Sequence, residues 1–71
     1  MTDPINPDHY RRGAIEAIDF LQDTFTPQQF EGYLRGNAMK YLIRYDKKNG
    51  LEDVQKAQWY IERLVWHLQS A

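Results

Sequence analysis

The sequence has 71 residues, enough for one small domain, and a formal net charge of −1 that argues against binding duplex DNA by bulk neutralisation of phosphates. It contains no cysteine, which excludes disulfides and thiolate metal sites. No apolar run approaches the roughly 18 residues of a membrane span, and the first residues lack the features of a signal peptide. We therefore expect a single soluble, cytoplasmic domain over residues 1–71.

Residues 1–13 are predicted to form an irregular arm, because Pro4 and Pro7 bias the residues before them away from helix. The arm contains the segment Asn6-Pro7-Asp8-His9-Tyr10, in which His9 and Tyr10 could close over a ligand. The alternative is a structural histidine. A short first helix is predicted from about Ala14 to Asp23, with apolar residues at helical spacing: Ile15, Ile18, and Leu21 or Phe20.

The second helix is predicted from about Pro27 to Asp46 or Lys47. Thr26 is a candidate N-cap, and Gln29 follows it at the spacing of a capping box. Asn49-Gly50 should end this segment, because both residues tolerate the left-handed conformation.

The third helix is predicted from Leu51 or Gly50 to about Gln69, and it carries two stripes. We predict that the aliphatic stripe forms the core: Val54, Ala57, Ile61, Leu64, Val65 and Leu68. The second stripe is cationic and aromatic, flanked by Trp59 and Trp66: Lys56, Tyr60, Arg63 and His67. His67 is interpreted as structural. The pattern predicts an all-α, three-helix protomer with a helical core over 14–69, two longer antiparallel helices, and homo-oligomeric assembly through the aromatic side.

A polar stripe lies in the middle of the chain. Asn37, Lys40 and Arg44 fall within roughly 60° of one another on a helical wheel. Tyr33 and Tyr41 lie beside them, whereas Ala38, Leu42 and Tyr45 point towards a predicted core. Cations that meet phosphates, an amide that reads a polar edge and rings that stack on a base would together bind a nucleotide. The alternative is that the tyrosines are core residues and the cations extend to solvent.

Two further groups could complete such a site. Lys56 and Tyr60 on the third helix could face the same site, or could be a solvated lysine beside a packing tyrosine. Glu16 and Asp19 lie three residues apart on the first helix and could share a Mg²⁺, although two acids on an amphipathic helix can also be its solvated face. Gly36 could allow a ligand or another chain to approach the helix. A phosphate-binding P-loop is not present.

Several motifs together resemble a family of small bacteriophage and prophage proteins, often named phage nucleotide kinases after a longer member from a short-tailed coliphage. The resemblance covers about Ile5 to Leu64. The matching motifs, in chain order, are Asn6-Pro7-Asp8-His9-Tyr10, Ile15-Glu16-x-x-Asp19, Gly36-Asn37-Ala38-x-Lys40-Tyr41-x-x-Arg44, Lys47-x-x-Gly50-x-x-Asp53 and Lys56-Ala57-x-Trp59-Tyr60.

This resemblance implies a role in nucleotide metabolism, since the longer member is a deoxynucleoside monophosphate kinase that lacks a P-loop. It implies a ligand-binding set of Asn6, Tyr10, Asn37, Lys40, Tyr41, Arg44, Lys56 and Tyr60. Glu16 and Asp19 would be catalytic residues that hold Mg²⁺, and His9 would act as a catalytic acid or base.

Three functions remain open at this point. The first is an enzyme acting on nucleotides, either a kinase or a Mg²⁺-dependent hydrolase in the host cytoplasm. The second is a non-catalytic protein that sequesters a nucleotide or cyclic nucleotide signal of host defence, or inhibits a defence protein. The third is an interaction module that docks its aromatic face on a host protein.

Overall fold

The computed structural model describes residues 12–70, with side chains described from residue 17 onward. Three α-helices follow one another: α1 (Arg12–Thr24), α2 (Pro27–Arg44) and α3 (Leu51–Ser70), with a 3₁₀ turn (Tyr45–Lys47) after α2. The described part of the chain contains no strand, which confirms the all-α prediction. No helix in this part is long and apolar enough to cross a membrane. The first helix begins two residues before its predicted start, within the predicted arm.

The start of α2 is determined by local sequence. The Thr26 hydroxyl accepts a hydrogen bond from the Gln29 amide at 3.2 Å, and the Gln29 side chain accepts one from the Thr26 amide at 2.9 Å. This is the predicted capping box. After the 3₁₀ turn, Gly50 adopts a φ of 53° and its amide donates to the Tyr45 carbonyl at 2.8 Å. The predicted left-handed residue before α3 is therefore confirmed at Gly50 but not at Asn49, and the α-helix itself ends at Arg44, before its predicted end at Asp46 or Lys47.

The second and third helices run antiparallel, as two contacts show: the end of α2 meets the start of α3, and the end of α3 meets the start of α2. Near the connecting turn, Arg44 of α2 pairs with Asp53 of α3. At the far end, the Nε2–H of His67 donates a hydrogen bond to the Pro27 carbonyl at 3.1 Å, and the imidazole ring packs edge-on against Phe30. The buried His67 is thus a structural residue, as predicted.

Aromatic side chains dominate the core. Buried residues come from all three helices: Ile18 of α1, Phe30, Leu34 and Ala38 of α2, and Ala57 and Tyr60 of α3. Leu21, Phe25, Tyr33, Tyr41, Trp59 and Leu64 are partly buried and pack against this cluster. Phe20 is 69% exposed, so Leu21 is the residue that continues the inward face of α1.

The core seam predicted for α3 is wrong at four of its six positions. Val54, Ile61, Val65 and Leu68 are 37–53% exposed. The stripe that packs inward, here called the inner seam, consists of Asp53, Ala57, Tyr60, Leu64 and His67. The inner seam faces inward because α2 offers it aromatic partners. Tyr60 stacks on Tyr41 and packs edge-on against Tyr33. His67 packs edge-on against Phe30. The aromatic side that we expected to join protomers therefore lies largely inside one.

The predicted core face of α2 is correct only at Ala38. Leu42 and Tyr45 are 43% and 44% exposed because they lie beyond the edge of the contact with α3. A methyl group placed on Gly36 would meet no atom of the described chain within 4 Å. The close approach expected at Gly36 is thus not made by any other part of the described chain.

Candidate functional site

Three cationic side chains surround the ring of Tyr41. The Lys40 Nζ lies 4.5 Å from the ring centroid, the Arg44 Cζ 4.9 Å and the Lys56 Nζ 5.4 Å. Two of the cations come from α2 and the third from α3, so the antiparallel pairing of these helices assembles the group. We call these four residues the Tyr41 cluster. Each cation is within the range of a cation–π interaction with the ring.

The orientation of Tyr41 is set by buried neighbours. Its ring stacks on Tyr60 with a centroid separation of 6.0 Å and an interplanar angle of 14°. Tyr60 is 8% exposed and also packs edge-on against Tyr33 at 6.2 Å. Because Tyr60 lies on one side of Tyr41 and cations lie over its ring, this geometry favours a platform for cations over one for a stacked base.

Arg44 is held in place by a buried acid. Asp53 has 0% exposure, and its two carboxylate oxygens lie 3.3 and 3.4 Å from guanidinium nitrogens of Arg44. The backbone amide of Asn49 donates a third hydrogen bond at 3.1 Å. Burial acts to raise the pKa of Asp53, but the hydrogen bonds from Asn49 and Arg44 and the charge of Arg44 outweigh it and lower the pKa below its ordinary value.

The cluster has more positive than negative charge. Asp53 partners Arg44, whereas no described carboxylate lies within 4.0 Å of the ammonium groups of Lys40 and Lys56. Like charges held around one ring repel each other, and this repulsion is relieved when an anion binds between them. The arrangement can therefore bind a phosphate or another compact anion.

The remaining predicted residues of the central stripe lie beside the cluster. The Asn37 side-chain amide donates to the Tyr33 carbonyl of its own helix at 2.9 Å, which leaves its oxygen available to a ligand. Burial, together with the neighbouring Tyr60, raises the pKa of Tyr33 to about 12, so its hydroxyl stays protonated at neutral pH. These two groups are neutral and can only supplement the charge of the cluster.

The predicted Mg²⁺ residue Asp19 takes part in an ion pair. The Nη2 of Arg63 donates to the Oδ1 of Asp19 at 3.0 Å and to the side-chain oxygen of Gln22 at 2.7 Å. The Cζ of the same guanidinium lies 4.6 Å from the centroid of the Trp66 ring. Among the described residues, no group of three or more His, Asp or Glu could hold a metal. Asn6, His9 and Tyr10 lie outside the described residues, as does the side chain of Glu16.

The sequence interpretation missed the role of Asp53, which it named only as part of the motif Lys47-x-x-Gly50-x-x-Asp53. The inner seam offered a clue, because Asp53 precedes Ala57 and Tyr60 at the spacing of one helix face. An acid on a buried face requires a partner, and Arg44 is the cation across the turn.

With this geometry established, comparison with known proteins identifies the family. Residues 5–62 match the family described as "protein of unknown function (DUF3310)". The chain belongs to the DUF3310 family. Two phage relatives, described next, confirm the resemblance to a phage protein family.

Two curated phage proteins are similar to this DUF3310 chain. "Nucleotide kinase gp1.7" of Escherichia phage T7 is 39% identical over 66 residues, which cover 86% of this chain and 34% of that protein. "Gene 1.7 protein" of Enterobacteria phage T3 is 36% identical over 71 residues, covering 93% and 44% respectively. The chain therefore spans less than half the length of either relative. No solved structure matches it significantly.

Proposed function

We propose that this chain binds a nucleotide through its phosphate groups at the Tyr41 cluster, as part of a nucleotide kinase-like activity. The observation that carries this proposal is the convergence of Lys40, Arg44 and Lys56 on one ring with only one buried acid among them. The name of the phage T7 relative, a nucleotide kinase, supports the choice of a nucleotide among possible anions.

The three cations have different tasks in this proposal. Lys40 and Lys56 approach the phosphates from opposite helices and neutralise their charge. Arg44 contributes a planar guanidinium whose orientation is fixed by Asp53, so little entropy is lost when it binds a phosphate oxygen. Tyr41 and Tyr60 hold the cations in place, and Asn37 contacts a polar edge of the ligand through its free oxygen.

Binding is tested first, by calorimetric titration of deoxynucleoside monophosphates and triphosphates into the whole chain. Lys40→Gln and Lys56→Gln should each weaken the binding roughly tenfold or more, since each removes one charge-assisted contact. Arg35→Gln is the matched control, because Arg35 is exposed on α2 away from the cluster. Equal affinities for the Lys40 and Arg35 variants, or no binding of any nucleotide by the wild type, would refute the proposal.

Phosphoryl transfer is the finer part of the proposal. A phosphate oxygen of a deoxynucleoside monophosphate forms a bond to the γ-phosphorus of a donor triphosphate, and the bond from that phosphorus to the β–γ bridging oxygen breaks. The products are a deoxynucleoside diphosphate and the diphosphate of the donor. Arg63, the partner of Asp19, lies seven residues from Lys56 on α3, about 10 Å along the same side of the helix. This proximity supports the proposal that Glu16 and Asp19 hold a Mg²⁺ near the phosphates, with His9 as the acid or base.

Transfer is tested by incubating the chain with ATP, Mg²⁺ and each deoxynucleoside monophosphate and separating the products. Glu16→Gln and Asp19→Asn should abolish diphosphate formation and leave nucleotide affinity unchanged. Arg63→Gln controls for the lost ion pair, because it breaks the contact with Asp19 and keeps the acid. Recovery of bound, unaltered nucleotide without turnover would refute the kinase-like part and leave the binding part standing.

A further inference from the structure

The outward side of α3 carries a regular apolar stripe. Leu51, Val54, Ile61, Val65 and Leu68 are 37–68% exposed. With the exposed Gln58, their spacings alternate between three and four residues, which is the heptad pattern of helices that pack in coiled coils. We call these six residues the outer seam: Leu51, Val54, Gln58, Ile61, Val65 and Leu68.

The outer seam is separate from the surfaces already described. It is centred about 120° around α3 from the inner seam that packs on α2. Val65 lies about 180° around the helix from Lys56, so a partner on the outer seam leaves the Tyr41 cluster open. A single exposed leucine is ordinary, but five aliphatic side chains in a row along about 26 Å of helix are typical of an interface.

We propose that the outer seam binds a second copy of this chain, with α3 packed against α3 about a two-fold axis. A heptad stripe is complementary to another helix that carries the same stripe, and a two-fold axis brings the same residues into opposition. The seam contains no charged residue, so the pairing of identical copies buries no like charges.

The presence of Gln58 in the outer seam favours a second copy of this chain as the partner, rather than an unrelated apolar surface. It lies near the middle of the seam, so the two Gln58 side chains meet close to the axis whichever way the helices run. An amide both donates and accepts, and two facing amides can therefore satisfy each other inside an otherwise apolar contact. Single polar residues of this kind fix the register of paired helices. Leu42, 43% exposed on the side of α2 away from Lys40, would widen the contact.

The mass of the whole chain in solution tests this pairing. Light scattering after size exclusion should give twice the chain mass of 8.5 kDa for the wild type, and 8.5 kDa for Ile61→Glu. Ile43→Glu is the matched control, since Ile43 is 73% exposed on α2 and should leave the mass doubled. Circular dichroism verifies that the helices are retained, and Leu68→Lys provides a second seam variant if Ile61→Glu does not fold.

Cross-linking provides a test that leaves the seam intact. Because the chain has no cysteine, Gln58→Cys introduces one thiol, and mild oxidation should convert most of the protein into a disulfide-linked pair. Ile43→Cys, 73% exposed on α2 and about 100° around that helix from Leu42, should remain largely uncross-linked under the same conditions. A monomeric wild type, or an oligomer that Ile61→Glu and Leu68→Lys leave unchanged, would overturn the proposal.

Discussion

Arg44 at the end of α2 holds the buried carboxylate of Asp53 at the start of α3, with its Nη2 and Nε 3.3 and 3.4 Å from the two carboxylate oxygens. Asp53 also accepts a hydrogen bond from the backbone amide of Asn49 at 3.1 Å. One acid thus links the last turn of α2, the connecting turn and the first turn of α3, and fixes the angle at which the hairpin closes.

Asp53→Asn should lower the melting temperature by roughly 10 °C, because the neutral amide no longer pairs with the charge of Arg44 and turns an NH2 donor towards one of the donors that the carboxylate accepted from. Differential scanning calorimetry provides the measurement. Asp46→Asn is the control, since Asp46 is exposed in the 3₁₀ turn and carries the same charge. Equal melting temperatures for the two variants would contradict the structural role of Asp53.

The contribution of Asp53 to stability should depend on pH in one direction. Its pKa is lowered in the folded chain, so its contribution is fully present above the ordinary carboxyl pKa of about 3.9. The contribution is lost as pH falls from that value through the lower folded pKa. The difference in melting temperature between wild type and Asp53→Asn should therefore be constant near neutrality and shrink below about pH 4. A difference that grows towards acid pH would contradict the lowered pKa.

Tyr33 should ionise well above the ordinary pKa of a tyrosine. Burial and the neighbouring Tyr60 raise its pKa to about 12, so the protonated form is favoured by folding. The associated stability is present below the ordinary tyrosine pKa of about 10 and is lost as pH rises towards 12. Ultraviolet titration should show a late tyrosinate step that is missing in Tyr33→Phe and retained in Tyr45→Phe. A late step that survives Tyr33→Phe would assign it to another tyrosine.

His67→Ala should destabilise the chain by about 2 kcal/mol, because it removes the hydrogen bond to the Pro27 carbonyl and the edge contact with Phe30. Urea denaturation followed by circular dichroism measures the change. Gln69→Ala, two residues later and exposed, should change the stability by less than about 0.5 kcal/mol. Similar losses of stability in both variants would contradict a specific role of the His67 contacts.

The start of α2 and the turn before α3 could be predicted because their determinants are neighbours in sequence. Thr26 and Gln29 satisfy each other's backbone groups, and Gly50 alone adopts a positive φ among the described residues. Such local contacts depend little on the rest of the fold.

The inward side of α3 could not be chosen from its own residues. The aliphatic residues of α3 recur at the helical period, and so do its tyrosine and histidine residues on another side. The period alone therefore does not say which of the two sides is buried. Only α2, with Phe30 and Tyr33, decides in favour of the aromatic stripe. By contrast, Lys40, Tyr41 and Arg44 share one helix face by spacing alone, and Lys56 joins them because a short turn makes α2 and α3 neighbours.

The position of Arg44 between Tyr41 and Asp53 couples the candidate site to the turn that joins the helices. An anion that binds as proposed would share the Arg44 guanidinium with Asp53 and weaken that pair, and the Asn49 amide donates to the same carboxylate. If the proposal is correct, the rate at which this amide proton exchanges with solvent should change when the site is occupied, and NMR measures that rate without labelling the ligand.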